Sequence, residues 1–128
     1  MRRLLHQLLL FSLLAFATVA AQEGGKQERV HFARGRTTAV LKGSVVRGTY
    51  DRYFLEAREG QTMIVHITSN EKNAVFSILD PDANALQGAE QGHETKDWSG
   101  TLPRTGNYAI WVGPTRGNAT YTLEVTIR

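Results

Sequence analysis

The chain has 128 residues and no cysteine, with 41% apolar and 21% charged residues. That allows one domain held by its core alone and excludes a disulfide framework, a thiol nucleophile and a thiolate zinc site. The formal charge is +3, but Arg2 and Arg3 open the chain; without them 13 basic residues face 12 acidic ones, too even a balance for a nucleic-acid surface.

After Arg2 and Arg3 the run Leu4 to Ala17 is almost wholly apolar, broken only by His6, Gln7 and Ser12. Val19-Ala20-Ala21 then supplies the small-x-small pattern of a signal-peptidase site. The pattern predicts a cleaved signal peptide over 1–21 and export to the periplasm or beyond. The apolar run from Leu8 is shorter than the roughly 20 residues of a membrane anchor, so none is expected.

Residues 22–29 (QEGGKQER) are polar and unpatterned, and read as a flexible lead-in. From Val30 the period is two. Val30 and Phe32 alternate with His31 and Ala33, and Thr38 to Val46 is a β-branched run in which Gly43 suggests a bulge or bend. Tyr53, Leu55 and Ala57 share a face; after Glu59-Gly60, so do Met63, Val65 and Ile67. Gly60-Gln61 reads as a hairpin turn. Val75 to Leu79 is short and apolar and stops at Asp80-Pro81-Asp82. Gly106 is the expected positive-φ residue before Tyr108, Ile110 and Val112. After a turn at Pro114 to Asn118, Tyr121, Leu123, Val125 and Ile127 alternate with Thr120, Thr122, Glu124 and Thr126. No apolar stripe of helical period follows residue 22. Seven or eight short strands over 30–128 predict an all-β, antiparallel β-sandwich, with a closed barrel as the alternative.

Catalytic chemistry is hard to find. His31, His66 and His93 fall in no metal-binding spacing, and Ser99 stands one residue away from a nucleophile-elbow pattern. Asp80, Asp82 and Asn84 open like a calcium loop, but the sixth position is Ala85 and the twelfth Gln91, and Asp-Pro-Asp equally initiates an ordinary turn. Tyr50, Tyr53 and Phe54 beside Arg47 and Arg52 suggest either a base-stacking surface or one strand of core and rim residues. No enzyme activity, metal or cofactor is expected, and nothing bears on oligomeric state.

Several motifs together resemble a known group. Tyr53-x-Leu55-x-Ala57-x-x-Gly60-Gln61, Asp80-Pro81, Trp98-x-Gly100-x-Leu102-Pro103-x-x-Gly106-x-Tyr108 and Tyr121-x-Leu123-x-Val125 are similar to the pre-peptidase C-terminal sandwich domains and to the free-standing bacterial inhibitors of goose-type (g-type) lysozyme. Val30-x-Phe32-x-x-Gly35, and a signal peptide leading straight into one domain, favour the inhibitors. The resemblance implies a pre-peptidase-like sandwich whose partner is lysozyme. It puts Arg116, in Pro114-Thr115-Arg116, at the position of an arginine that enters the lysozyme cleft. An aromatic loop position falls near Gly48, with Tyr50 two residues on; Arg47 and Arg104 complete the candidate lysozyme-binding set. The loop after Arg116 is short, and the inhibitors' second arginine has no counterpart here. The other reading is a carbohydrate- or cell-wall-binding sandwich with Trp98 or Trp111 as a stacking platform.

Overall fold

A computed structural model describes residues 24–128; the segment read as a signal peptide lies outside them. Eight strands form: β1 (Gln27–Arg29), β2 (Thr38–Val45), β3 (Asp51–Ala57), β4 (Thr62–Ser69), β5 (Ala74–Leu79), β6 (Asp97–Thr101), β7 (Gly106–Pro114) and β8 (Ala119–Ile127). They build two four-stranded sheets, β1-β3-β7-β5 and β2-β8-β4-β6, so the fold is an all-β sandwich and not a closed barrel. All pairings are antiparallel except β1 with β3. Along the described chain, successive strands always fall in opposite sheets.

The period-two pattern sets the core. Tyr53, Leu55, Ile110, Val112, Met63, Val65, Leu123 and Val125 are all buried between the sheets. Ile127 closes the same row half-buried. The opposite face of the β2-β8-β4-β6 sheet is hydroxyl-rich, with Thr38 bonded to Thr126 at 2.8 Å and Ser44 to Thr120 at 3.0 Å across the strands.

Four expectations need correction. The lead-in ends in β1, whose three exposed polar residues pair through their backbone and so leave no hydrophobic pattern. Val30 to Ala33 is not a strand: Val30 extends the contact with β3 by one bond, from its N–H to Phe54 O at 2.8 Å, and the chain then turns. Val30 and Phe32 alternate because both pack on the core. Gly60-Gln61 is not a hairpin turn, since β3 and β4 belong to different sheets; the turn carries the chain across the sandwich.

Gly43 makes no bulge either. It lies in continuous register opposite Tyr121, and a Cβ there would stand 2.5 Å from the Tyr121 hydroxyl. The phenol cannot move aside. Its hydroxyl donates to Asp51 Oδ2 at 2.6 Å and shares a 2.5 Å hydrogen bond with Tyr53, while Asp51 Oδ1 accepts the Lys26 N–H at 3.0 Å. Gly43→Ala should therefore destabilise the domain by about 1–3 kcal/mol, read as a lower urea midpoint.

Burial, reinforced by Asp51, pushes the Tyr121 phenol well above its ordinary range, and burial raises Tyr108 too. Unfolded tyrosines ionise near pH 10, so above about pH 10 the unfolded chain holds fewer protons than the native one. The stabilisation is fully present below pH 10 and is lost as pH climbs toward the folded values. Urea midpoints should fall with pH above about 10, less steeply in Tyr121→Phe.

Candidate functional site

Three loops meet at one end of the sandwich. There β2 ends at Val45 opposite Ala119, β4 ends at Ser69 opposite Tyr121, β3 starts at Asp51 opposite Val112, and β5 starts at Ala74 opposite Pro114. The loops are 46–50, 70–73 and 115–118. They carry Arg47, Lys72 and Arg116 against the single acid Glu71, so this end is locally basic.

Buried Asn73 organises them. Its side-chain amide donates to Arg116 O and Asn118 O, both at 3.0 Å, and its backbone carbonyl accepts the Thr115 N–H at 2.8 Å. Its own N–H donates to Ser69 Oγ at 2.9 Å. The 115–118 loop is thus pinned at three backbone points by a residue 2% exposed. Arg47 N–H donates to Asn118 Oδ1 at 2.9 Å and joins the 46–50 loop to it.

With the backbone fixed, the Arg116 side chain projects into solvent, 66% exposed, where Nη2 donates to Glu71 O at 2.9 Å and Nη1 stands 3.6 Å from the Glu71 carboxylate. An exposed pair of this kind contributes at most about 1 kcal/mol. It aims the guanidinium without tying it down.

Gly48, at φ 81°, permits the turn in which Thr49 N–H donates to Val46 O at 3.0 Å. Val46 is 57% exposed at that turn beside Arg47, and sequence reasoning missed it: it continued the β2 pattern and looked like a strand residue. Tyr50 folds down from the loop onto the outer face of the β1-β3-β7-β5 sheet. Its ring covers Gly113, where a Cβ would lie 2.7 Å from Cε1, and its hydroxyl accepts from Gln91 Nε2 at 3.0 Å.

Arg47, Gly48 and Arg116 therefore come together, with Tyr50 at their margin. Arg104 does not join them. It lies in the turn before β7, whose first residue pairs with Ala57 at the far end of β3. There its backbone N–H and C=O meet the buried Tyr108 hydroxyl at 3.1 and 2.6 Å, a tyrosine corner. Its Nε is 3.1 Å from Asp82 and 3.6 Å from Asp80. Asp80 Oδ1 also accepts the Asp82 and Asn84 N–H groups, so the calcium-like residues serve as a turn. Of the two tryptophans, Trp98 packs against the core and donates to Gln87 O at 2.9 Å, whereas Trp111 lies on the outer face beneath Arg52.

No family model matches the chain. It is 28% identical over 109 residues to the inhibitor of g-type lysozyme of Escherichia coli K12, covering 84% of this chain and 80% of that one. Among solved structures it is similar to PliG of Aeromonas hydrophila, a periplasmic lysozyme inhibitor of g-type lysozyme, at 32% identity and TM-score 0.68, over 80% of this chain and 96% of that one. The pre-peptidase C-terminal domain of a Bacillus anthracis collagenase shares the fold at 15% identity and TM-score 0.58, over 80% of this chain and 95% of that one.

Proposed function

The chain belongs to the family of bacterial inhibitors of g-type lysozyme, and from that membership we propose that it inhibits a g-type lysozyme by placing the loop end of the sandwich in the enzyme's cleft. It is a binding protein and not an enzyme. The observation that carries the mechanism is Arg116, an exposed guanidinium on a loop whose backbone is pinned by buried Asn73.

Glycoside hydrolases work with carboxyl groups flanking the scissile bond in an open groove. A guanidinium delivered there can meet a carboxylate through two parallel hydrogen bonds, which an ammonium cannot do. The weak pairing with Glu71 is given up at small cost, and the pinned loop has little entropy left to lose. Arg47 and exposed Val46 flank Arg116 in the contact, and Gly48 shapes their turn. Tyr50 steadies the base of that turn from its seat on Gly113. Arg104, at the opposite end, lies outside the contact. The signal-like segment 1–21 supports export to the periplasm, where the similar proteins are described as acting.

The test is a titration of the purified protein into goose-, chicken- and invertebrate-type lysozymes acting on cell walls. Inhibition of the goose type is expected at concentrations that leave the other two active. Full activity of the goose enzyme at saturating protein would overturn the proposal.

A further inference from the structure

Beside Tyr50, on the outer face of the β1-β3-β7-β5 sheet, a cleft of 250 Å³ opens between β5, β7 and the loop around residues 91–94. Two aromatic rings form a corner in it: Tyr50 and Trp111 have centroids 5.8 Å apart and planes inclined at 51°. The corner is braced. Arg52 stacks its guanidinium on the Trp111 ring at 4.4 Å, and Gly113 leaves room for Tyr50 to lie against the sheet.

Around the corner stand Gln91, Glu94, Ser77 and Thr115, an amide, a carboxylate and two hydroxyls. Gln91 is held by its hydrogen bond to Tyr50. Glu94 takes a positive φ of 53°, which only two other non-glycine residues adopt among those described. Such a backbone state costs energy and recurs at binding sites.

The chemistry narrows the occupant. The polar rim does not suit a purely apolar segment, and Glu94 opposes a phosphate or carboxylate. Rings inclined at 51° cannot both lie against one flat base. A chair-form pyranose with equatorial hydroxyls offers C–H bonds on its faces and hydroxyls around its edge. The cleft is also smaller than the roughly 300 Å³ at which drug-sized sites begin, a size suited to one ring.

We propose that this cleft binds a single gluco-configured pyranose unit of a β-linked glycan. The ring's C–H face lies on Tyr50 and on the face of Trp111 that Arg52 leaves free, and its hydroxyls reach Gln91 and Glu94. The site borders the loop end through Tyr50 and Thr115 but uses neither Arg116 nor Arg47, and it does not depend on lysozyme inhibition.

The experiment follows the Trp111 indole N–H and the Gln91 side-chain amide by NMR in ¹⁵N-labelled protein, titrated with chitotriose and with cellotriose. Saturable shifts at millimolar sugar are expected with at least one of them, while the Trp98 indole, bonded to Gln87 O, stays in place. Trp111→Ala should weaken binding at least tenfold. Gln91→Ala and Glu94→Gln, at exposed positions that leave folding intact, should each weaken it severalfold. Absence of a saturable shift with either sugar would overturn the site. So would unchanged affinity in Gln91→Ala and Glu94→Gln, or equal shifts at Trp98. No lysozyme is present in the assay, so its failure leaves the inhibitor reading untouched.

Discussion

Arg116→Ala should weaken inhibition of goose-type lysozyme by at least about thirtyfold and shift the melting temperature by less than about 3 °C. The two halves of that expectation have different origins. In the free protein the side chain is 66% exposed and its ionic partner, Glu71, is equally exposed, so truncation changes folding by about 0.5 kcal/mol. In a desolvated cleft against a carboxylate, the same truncation strands the partner charge and costs roughly 2–5 kcal/mol. Arg104→Ala removes equal charge at the opposite end of the sandwich and should change inhibition less than threefold. Equal small losses in both variants, abolished together by high salt, would mean that Arg116 acts only through general charge.

Leu123→Ala is expected to have the largest effect on stability. Leu123 sits in the middle of β8, between Leu41 of β2 and Ile67 of β4, and is fully buried. Its removal leaves a cavity lined by two sheets that cannot close over it without breaking register. The cost is about 2–5 kcal/mol, against a total of roughly 5–15 kcal/mol for a domain of this kind. The melting temperature should fall by about 10 °C or more in calorimetry. A drop of only a degree or two would place Leu123 outside the core and overturn the β8 register.

Alternation revealed which side chains of β3, β4, β7 and β8 point inward, because a half-buried strand must separate apolar from polar residues every second position. It could not reveal which strands pair. A strand's pattern is the same whichever sheet it joins, so the Gly60-Gln61 turn read as a hairpin while the chain crosses the sandwich. β1 left no trace because its bonds to β3 are made by backbone alone. Gly43 carried a real signal, a missing side chain in a β-branched run, but its cause, the Tyr121 phenol, lies 78 residues away in the sequence. At the site, the resemblance pointed to Arg116 and Gly48, since both stand near recognisable turns. Asn73 and Glu71 sit in an unpatterned polar loop, and only folding brings them against residues 116 and 118.

Strands that alternate between sheets from β1 to β8 also set the order of events in time. No two of the described strands that are neighbours in the sequence pair with each other, so each ladder between strands waits for a loop to close before any bond rewards it. Folding should accordingly fall in the slow range of milliseconds to seconds typical of such connectivity. The last strand is the most demanding: β8 is the shared neighbour of β2 and β4, with Thr38 paired to Thr126. Until β8 has been made, one whole sheet has no centre. A nascent chain of this design stays open until β8 has been made, the state a polypeptide needs if it is to be threaded across a membrane before it folds.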